Sequence, residues 1–348
     1  MENPKLSNER GSHQLVCLIT YPRTASNLLV RILALEHQPK FIARSSGAGY
    51  CFLASQRYMQ FNGELTSKPV SAWTEDEKRK AQQLMQEDFE RLNSYVGLAR
   101  NQQKSLFNKE HLHMMLDPIF KSRQLYGENS AGDEEPWKVR LPHAPTVTSS
   151  CLNSCLNHTV LPDEYLQTFW PTFLIRHPAL VYPSMYRVLS DVSAQSANIE
   201  RMLQAAINLG WVRSLYDWYA TREESSMCAE ENSRGPVILD ADDIIARPEV
   251  VHRYCEIVGL DPTKLRFTWA DIKHEDHPAG ERFLSTLRDS SGVDSSKVAG
   301  TIDLVRESQR WREEFGETAG GRLMEMVQAA MPDYEYLRSR RLQGRAAR

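Results

Sequence analysis

Two arginines, Arg23 and Arg176, each stand just past an apolar run and just ahead of an apolar-periodic one. The first run, Leu15 to Thr20, breaks at Tyr21-Pro22, and Leu28, Leu29, Ile32, Leu33 and Leu35 then recur at helical spacing. Between them lies the short polar stretch Arg23-Thr24-Ala25-Ser26-Asn27. A strand, a tight loop and a helix start aim the loop's N–H groups and the donors of the first helical turn at one spot, where the helix dipole is positive. Arg23 adds a permanent charge and a planar fork suited to phosphate or sulfate oxygens. The same residues also fit a plain strand-turn-helix corner with Ser26 or Asn27 as N-cap.

The second corner repeats the pattern. Phe173 to Ile175 ends at Arg176, turns at His177-Pro178 and enters a helix near Leu180. Ser184 follows Arg176 by eight residues, one to two turns into that helix and on the face toward the strand's end. Open α/β sheets bind ligands outside the carboxyl ends of their strands, so the two arginines can converge on one anion. Arg176 paired with a surface carboxylate is the alternative, and two arginine-bearing corners in one chain count against it.

Other residues offer less. Cys151 and Cys155 stand at i,i+4, with no further ligand pair placed to complete a metal site. His111 with His113, and His274 with His277, read as surface histidines. Trp137 to His143, WKVRLPH, is a short strand candidate with three basic side chains close together. A phosphate cradle at a first βα corner raises the P-loop nucleotide hydrolases and kinases. YPRTASNLL, however, has neither the glycines nor the Lys-Ser/Thr end of G-x-x-x-x-G-K-[ST], which disfavours metal-dependent triphosphate chemistry.

The elements that must position these residues follow from pattern. Thr74 with Glu77 forms a capping box for a helix over 74–95, and a second helix is expected near 108–122. A long helix is expected over 199–224, a third strand at 236–239 ending in Asp240-Ala-Asp242-Asp243, and a helix over 248–258 stopped by Gly259. A final helix covers 317–331, ahead of an Arg-rich tail read as disordered. Alternating strands and helices of this kind imply a parallel sheet with right-handed crossovers. The expected organisation is a flexible stretch over 1–14, one α/β domain over 15–337 with a helical insertion about 64–135, and a basic tail over 338–348.

Composition sets the bounds. The chain has 348 residues, 41% hydrophobic and 25% charged, ordinary for a soluble globular protein. A net charge of -3 leaves no electrostatic footprint for nucleic acid. Six cysteines are too sparse for a disulfide scaffold, and no stretch reaches the roughly 18 apolar residues of a membrane span. With no cleavable signal read in the polar Met1 to Gln14, a cytoplasmic location is expected.

TYPRTASNLL resembles the 5′-phosphosulfate loop of the 3′-phosphoadenosine 5′-phosphosulfate (PAPS)-dependent sulfotransferases, usually close to TYP(K/R)SGTxxL. FLIRHPALVYPSMYR is similar to their 3′-phosphate motif, with Arg176 and Ser184 at the family's eight-residue spacing. LPDEYL at 161–166, LYDWY at 215–219, DADDI at 240–244 and MPDYEYL at 331–337 look like segments of the sulfotransferase-like proteins of fungi. The resemblance runs from about residue 15 to 337. It implies a three-layer α/β/α, P-loop-like fold with a mostly parallel sheet, and a PAPS-dependent, metal-free transfer of a sulfuryl group to a hydroxyl or amine of a small-molecule acceptor. The alternative is a fold relative that binds nucleotide without transfer, or catalyses another reaction.

By the same resemblance Arg23 stands at the catalytic cation, and Thr24, Ala25, Ser26 and Asn27 cradle the 5′-phosphate. Arg176 and Ser184 hold the 3′-phosphate, and the segment with Arg310 and Trp311 is similar to the one that closes over the nucleotide. Ala25 replaces the family's usual glycine, which bars an easy left-handed conformation. The family's acceptor base is a histidine in K-T-H-L-P, or K-E-H-A in fungal relatives. In KVRLPHA, Arg140 falls at one register and His143 at the other. His143 is expected to be the base, because a group titrating near neutrality can take the acceptor's proton. No nucleic-acid or membrane partner is expected, and a homodimer is left open.

Overall fold

The computed structural model describes residues 13–42, 49–62, 65–142, 156–192, 199–225, 235–269 and 291–344. Four parallel strands, β1 (Leu15–Thr20), β2 (Leu106–His111), β3 (Trp170–Ile175) and β4 (Val237–Asp240), lie in the order β2-β1-β3-β4. The period-2 alternation of β1 sends Cys17, Ile19 and Tyr21 to one core and Val16 and Leu18 to the other. An all-parallel sheet has to be covered on both faces, and this one is. Helix α1 (Ser26–Leu33) and the helix Pro248–Ile257 cover one face. The helices Glu75–Asn101, Pro178–Val192 (α2) and Leu209–Ser225 cover the other. Three layers, α/β/α, result. Leu18, Leu29, Ile32 and Leu33 have no exposed surface, each worth about 1.5–3 kcal/mol against remaining in water.

Register matters more than the layers here. Thr20 pairs with His111, Ile19 with Phe173 and Ile175 with Asp240, so the carboxyl ends of all four strands open at one level. The capping box at Thr74 and Glu77 is formed, and Gly259 ends its helix at φ +76°. Among the described residues no helix is long and apolar enough to cross a membrane.

Several expectations need correction. The helix expected near 108–122 begins only at Leu112, because Leu106–His111 is strand β2 within the stretch read as a helical insertion. Its residues Asn108, Lys109 and Glu110 are buried, so no apolar run announces it. His111 and His113 are buried as well, not surface histidines. Trp137 to Leu141 is no strand, although the Val139 N–H donates to the Val160 carbonyl. The helix expected over 199–224 breaks at Ile207-Asn208, where Asn208 caps the second half by accepting from the Trp211 N–H at 3.2 Å. The last helix continues through Pro332 to Ser339, and the tail after it packs as far as Gly344. Leu342 N–H donates to the Ile238 carbonyl on edge strand β4 at 2.7 Å, and Arg341 binds Asp243. Cys151, Cys155, His274 and His277 lie outside the described residues.

Candidate active site

At the end of β1 the chain makes a turn that few L-residues accept. Arg23 has φ +67° and Ala25 sits at φ +61°, ψ 22°, both left-handed. Ala25 is the N-cap of α1 and offers no side-chain cap, so neither Ser26 nor Asn27 closes this helix start. The Asn27 amide oxygen instead accepts from Lys109 Nζ at 2.5 Å. The start of α1 is therefore left without a side-chain cap. The absent glycine has a price. A left-handed alanine costs about 1–2 kcal/mol. Ala25→Gly is thus expected to raise stability by about 1 kcal/mol, read as the midpoint shift in urea unfolding.

The second corner docks on the first. The Tyr21 hydroxyl donates to the Arg176 carbonyl and accepts from the Arg176 N–H, both at 3.0 Å. Arg23 Nε donates to Ser184 Oγ at 2.8 Å, and Arg176 Nη1 donates to the Arg23 carbonyl at 3.1 Å. Arg176 Nη2 donates to the Lys297 carbonyl at 2.9 Å, while its buried Nε has no partner. Burial lowers the pKa of both guanidinium groups, and Arg23 is lowered further by the charges of Arg176 and Arg187. The nearby carboxylates of Asp242 and Asp240 partly offset the effect of burial on Arg176.

Two further basic groups, Lys109 and His111, come from β2; the sequence reading did not name the first and took the second for a surface histidine. His111, at the strand's carboxyl end, places Nδ1 3.2 Å from the Thr20 hydroxyl, which in turn lies 2.9 Å from the Thr24 hydroxyl of the loop. Its Nε2 lies 2.8 Å from the Tyr50 hydroxyl. Burial, then the charges of His113 and Lys109, hold His111 well below the ordinary histidine value, so it is neutral at pH 7. The signal that would have found it is Lys109-Glu110-His111, which reads K-E-H as it stands.

Arg23, Ser184 and Arg176 thus meet, with Thr24 to Asn27 beside them. Arg310 and Trp311 do not join them. Trp311 is buried in the hydrophobic core, and Arg310 pairs with Glu307 on the exposed side of the helix Leu304–Phe315. The late segment that reaches the site lies about a dozen residues earlier. It provides the Lys297 carbonyl to Arg176 and is tied down by the Ala299 N–H on the Asp242 carboxylate at 2.9 and 3.0 Å. His143 lies outside the described residues; Arg140 is exposed, with its backbone N–H on Gln86.

No family model matches the chain. It is, however, 40% identical over 331 residues to the sulfotransferase ppzF of Metarhizium rileyi (strain RCEF 4871), covering 93% of this chain and 95% of that one. The sulfotransferase ppzF of Metarhizium majus (strain ARSEF 297) is 40% identical over 332 residues, 93% and 96% of the two chains. The chain belongs to the sulfotransferase family. Among solved structures, a sulfotransferase domain from a Synechococcus PCC 7002 olefin synthase aligns over 89% of this chain and 97% of its own, at TM-score 0.33 and 11% identity. For a sulfotransferase, the convergence of Arg23, Arg176, Lys109 and His111 at one end of the sheet places cations and a neutral imidazole around a single cradle.

Proposed function

We propose that this sulfotransferase uses PAPS as donor and moves its sulfuryl group, without a metal, to a hydroxyl or amine of a small-molecule acceptor. The observation that carries this reading is the pair of half-buried arginines from two separate βα corners, held together by carbonyls and a hydroxyl, with the buried Arg176 Nε unpartnered. Two arginine sites served by one sheet end suit a ligand with two anionic groups, which the 3′- and 5′-phosphates of this donor supply.

PAPS supplies the sulfuryl group and a phosphoadenosine leaving group. The open N-terminus of α1 and the loop N–H groups bind the 5′-side oxygens, and Arg23 and Lys109 offset the charge that develops as the S–O bond breaks. Arg176 and Ser184 take the 3′-phosphate, which ATP lacks. Neutral His111 accepts the acceptor's proton at Nε2, and the Thr20 hydroxyl fixes the ring from the other side. His111 rather than His143 is our choice for the base because of this placement. The buried free thiols of Cys17, Cys51 and Cys255 suit a reducing, cytoplasmic setting.

Calorimetry decides the donor. Binding of 3′,5′-phosphoadenosine well above ATP is expected, and no binding of 3′,5′-phosphoadenosine sinks the reading. Transfer of labelled sulfate from PAPS to a panel of phenols, alcohols and amines then tests the chemistry. The pH dependence follows from the imidazole. The base works unprotonated and its pKa is depressed, so activity is retained as pH falls through 6.5 and lost only below it. The acid limb of kcat/KM should lie under 6.5; a limb above that value assigns the base elsewhere.

A further inference from the structure

Tyr50 stands between the two halves of this site. Its hydroxyl is 2.8 Å from His111 Nε2 and within hydrogen-bonding reach of the Ser26 hydroxyl at the start of α1. Its ring centroid is 4.4 Å from that of the imidazole and 4.6 Å from the Lys109 ammonium. One phenolic oxygen therefore spans the gap between the basic nitrogen and the cradle. The next residue anchors it: the Cys51 N–H donates to the Glu110 carboxylate at 2.5 Å, and the Cys51 carbonyl accepts from Arg91 Nη1 at 2.9 Å. Burial holds the phenol's pKa far above its ordinary value, so it stays protonated and weakly nucleophilic.

We infer that Tyr50 is a specificity-determining residue that keeps water from serving as the acceptor, an inference that rests on the sulfotransfer reading above. Any nucleophile must bring its oxygen or nitrogen to His111 Nε2, and the Tyr50 hydroxyl holds that position. An organic acceptor can displace it, because the acceptor offers its own hydroxyl or amine together with contact surface for the neighbouring rings. A water molecule offers hydrogen bonds no better than the phenol's, and nothing to replace the ring contacts with Lys109 and His111.

Removing the phenolic oxygen alone reverses this. Tyr50→Phe keeps the ring and leaves a space of about one water, lined by two polar partners, His111 Nε2 and the Ser26 hydroxyl. A water there is placed to react. Its oxygen forms a bond to sulfur, the S–O bond to the 5′-phosphate breaks, and one of its protons passes to His111 Nε2. Sulfate and 3′,5′-phosphoadenosine are the products, and the proton then leaves the imidazole for solvent.

The test needs no acceptor. The full chain and its Tyr50→Phe variant are incubated with sulfur-labelled PAPS alone, and free sulfate is followed beside calorimetric affinity for 3′,5′-phosphoadenosine. The variant should release sulfate severalfold faster while binding 3′,5′-phosphoadenosine at least as tightly as the parent. Unchanged or slower release at retained affinity would overturn the inference, because Tyr50 then orients His111 rather than covering it. A sulfuryl adduct on Tyr50 of the parent chain would also overturn it, since the phenol would itself be an acceptor. Failure of the parent chain to bind 3′,5′-phosphoadenosine strikes the donor reading itself and is visible before any variant is compared.

Discussion

Arg176→Ala is expected to weaken binding of 3′,5′-phosphoadenosine by about 2–4 kcal/mol, roughly thirtyfold to several hundredfold. The guanidinium is half-buried, its buried Nε has no protein partner, and its other two nitrogens donate to carbonyls. A phosphate there would be met by a fork that no carboxylate among the described ion pairs has claimed. Calorimetry with 5′-AMP separates two origins of the loss. If Arg176 reads the 3′-phosphate, parent and variant bind 5′-AMP alike. If it acts only by holding the Arg23 carbonyl, and with it the loop, both ligands lose equally. Arg176→Lys should recover only part of the affinity, because an ammonium keeps the charge without the planar pair of donors. Parent-like affinity in Arg176→Ala would remove the 3′-phosphate assignment.

The second large effect concerns the base. His111→Ala should lower sulfuryl transfer by about 10²- to 10⁴-fold while affinity for 3′,5′-phosphoadenosine stays near that of the parent. The split is informative because His111 touches the loop only indirectly, through the Thr20 and Thr24 hydroxyls on one side and Tyr50 on the other. Loss of both binding and transfer would point to a collapsed loop instead. His143→Ala is the comparison, and it should transfer at the parent rate. The reverse outcome, with His143→Ala inactive and His111→Ala active, returns the role of base to the residue that the KVRLPHA stretch offered.

Which parts could be read from sequence follows from what pattern encodes. The β1 and β3 corners were visible because the apolar runs Leu15 to Thr20 and Phe173 to Ile175 lead to Arg23 and Arg176 and turn into apolar-periodic helices. β2 was not visible. Every residue of Leu106–His111 is buried, yet four of the six are polar, and each has a hydrogen-bond partner brought from far along the chain. Periodicity counts apolar side chains, so a strand whose burial is met by hydrogen bonds rather than by hydrophobicity leaves no trace in it. The K-E-H at 109–111 was on view but had no assigned strand to stand on. Arg310 and Trp311 failed for the opposite reason. A Trp beside an Arg resembles a ligand clamp in one dimension, whereas the helix Leu304–Phe315 turns the indole into the core and the guanidinium to Glu307.

The residues alone pointed to anion chemistry: Arg23 and Arg176 at strand ends, a polar loop opening a helix, and the absence of a Lys-Ser/Thr end. Only the tertiary structure decided that these charges share one site with Lys109, His111 and Tyr50. Parallel register sets Thr20 beside His111, and Tyr21 staples the second corner to the first. Both are pairings across 91 and 155 residues of sequence, distances over which no local pattern carries information. The tertiary structure also put Ala25 in the left-handed region. An alanine in that conformation carries strain that a glycine would not.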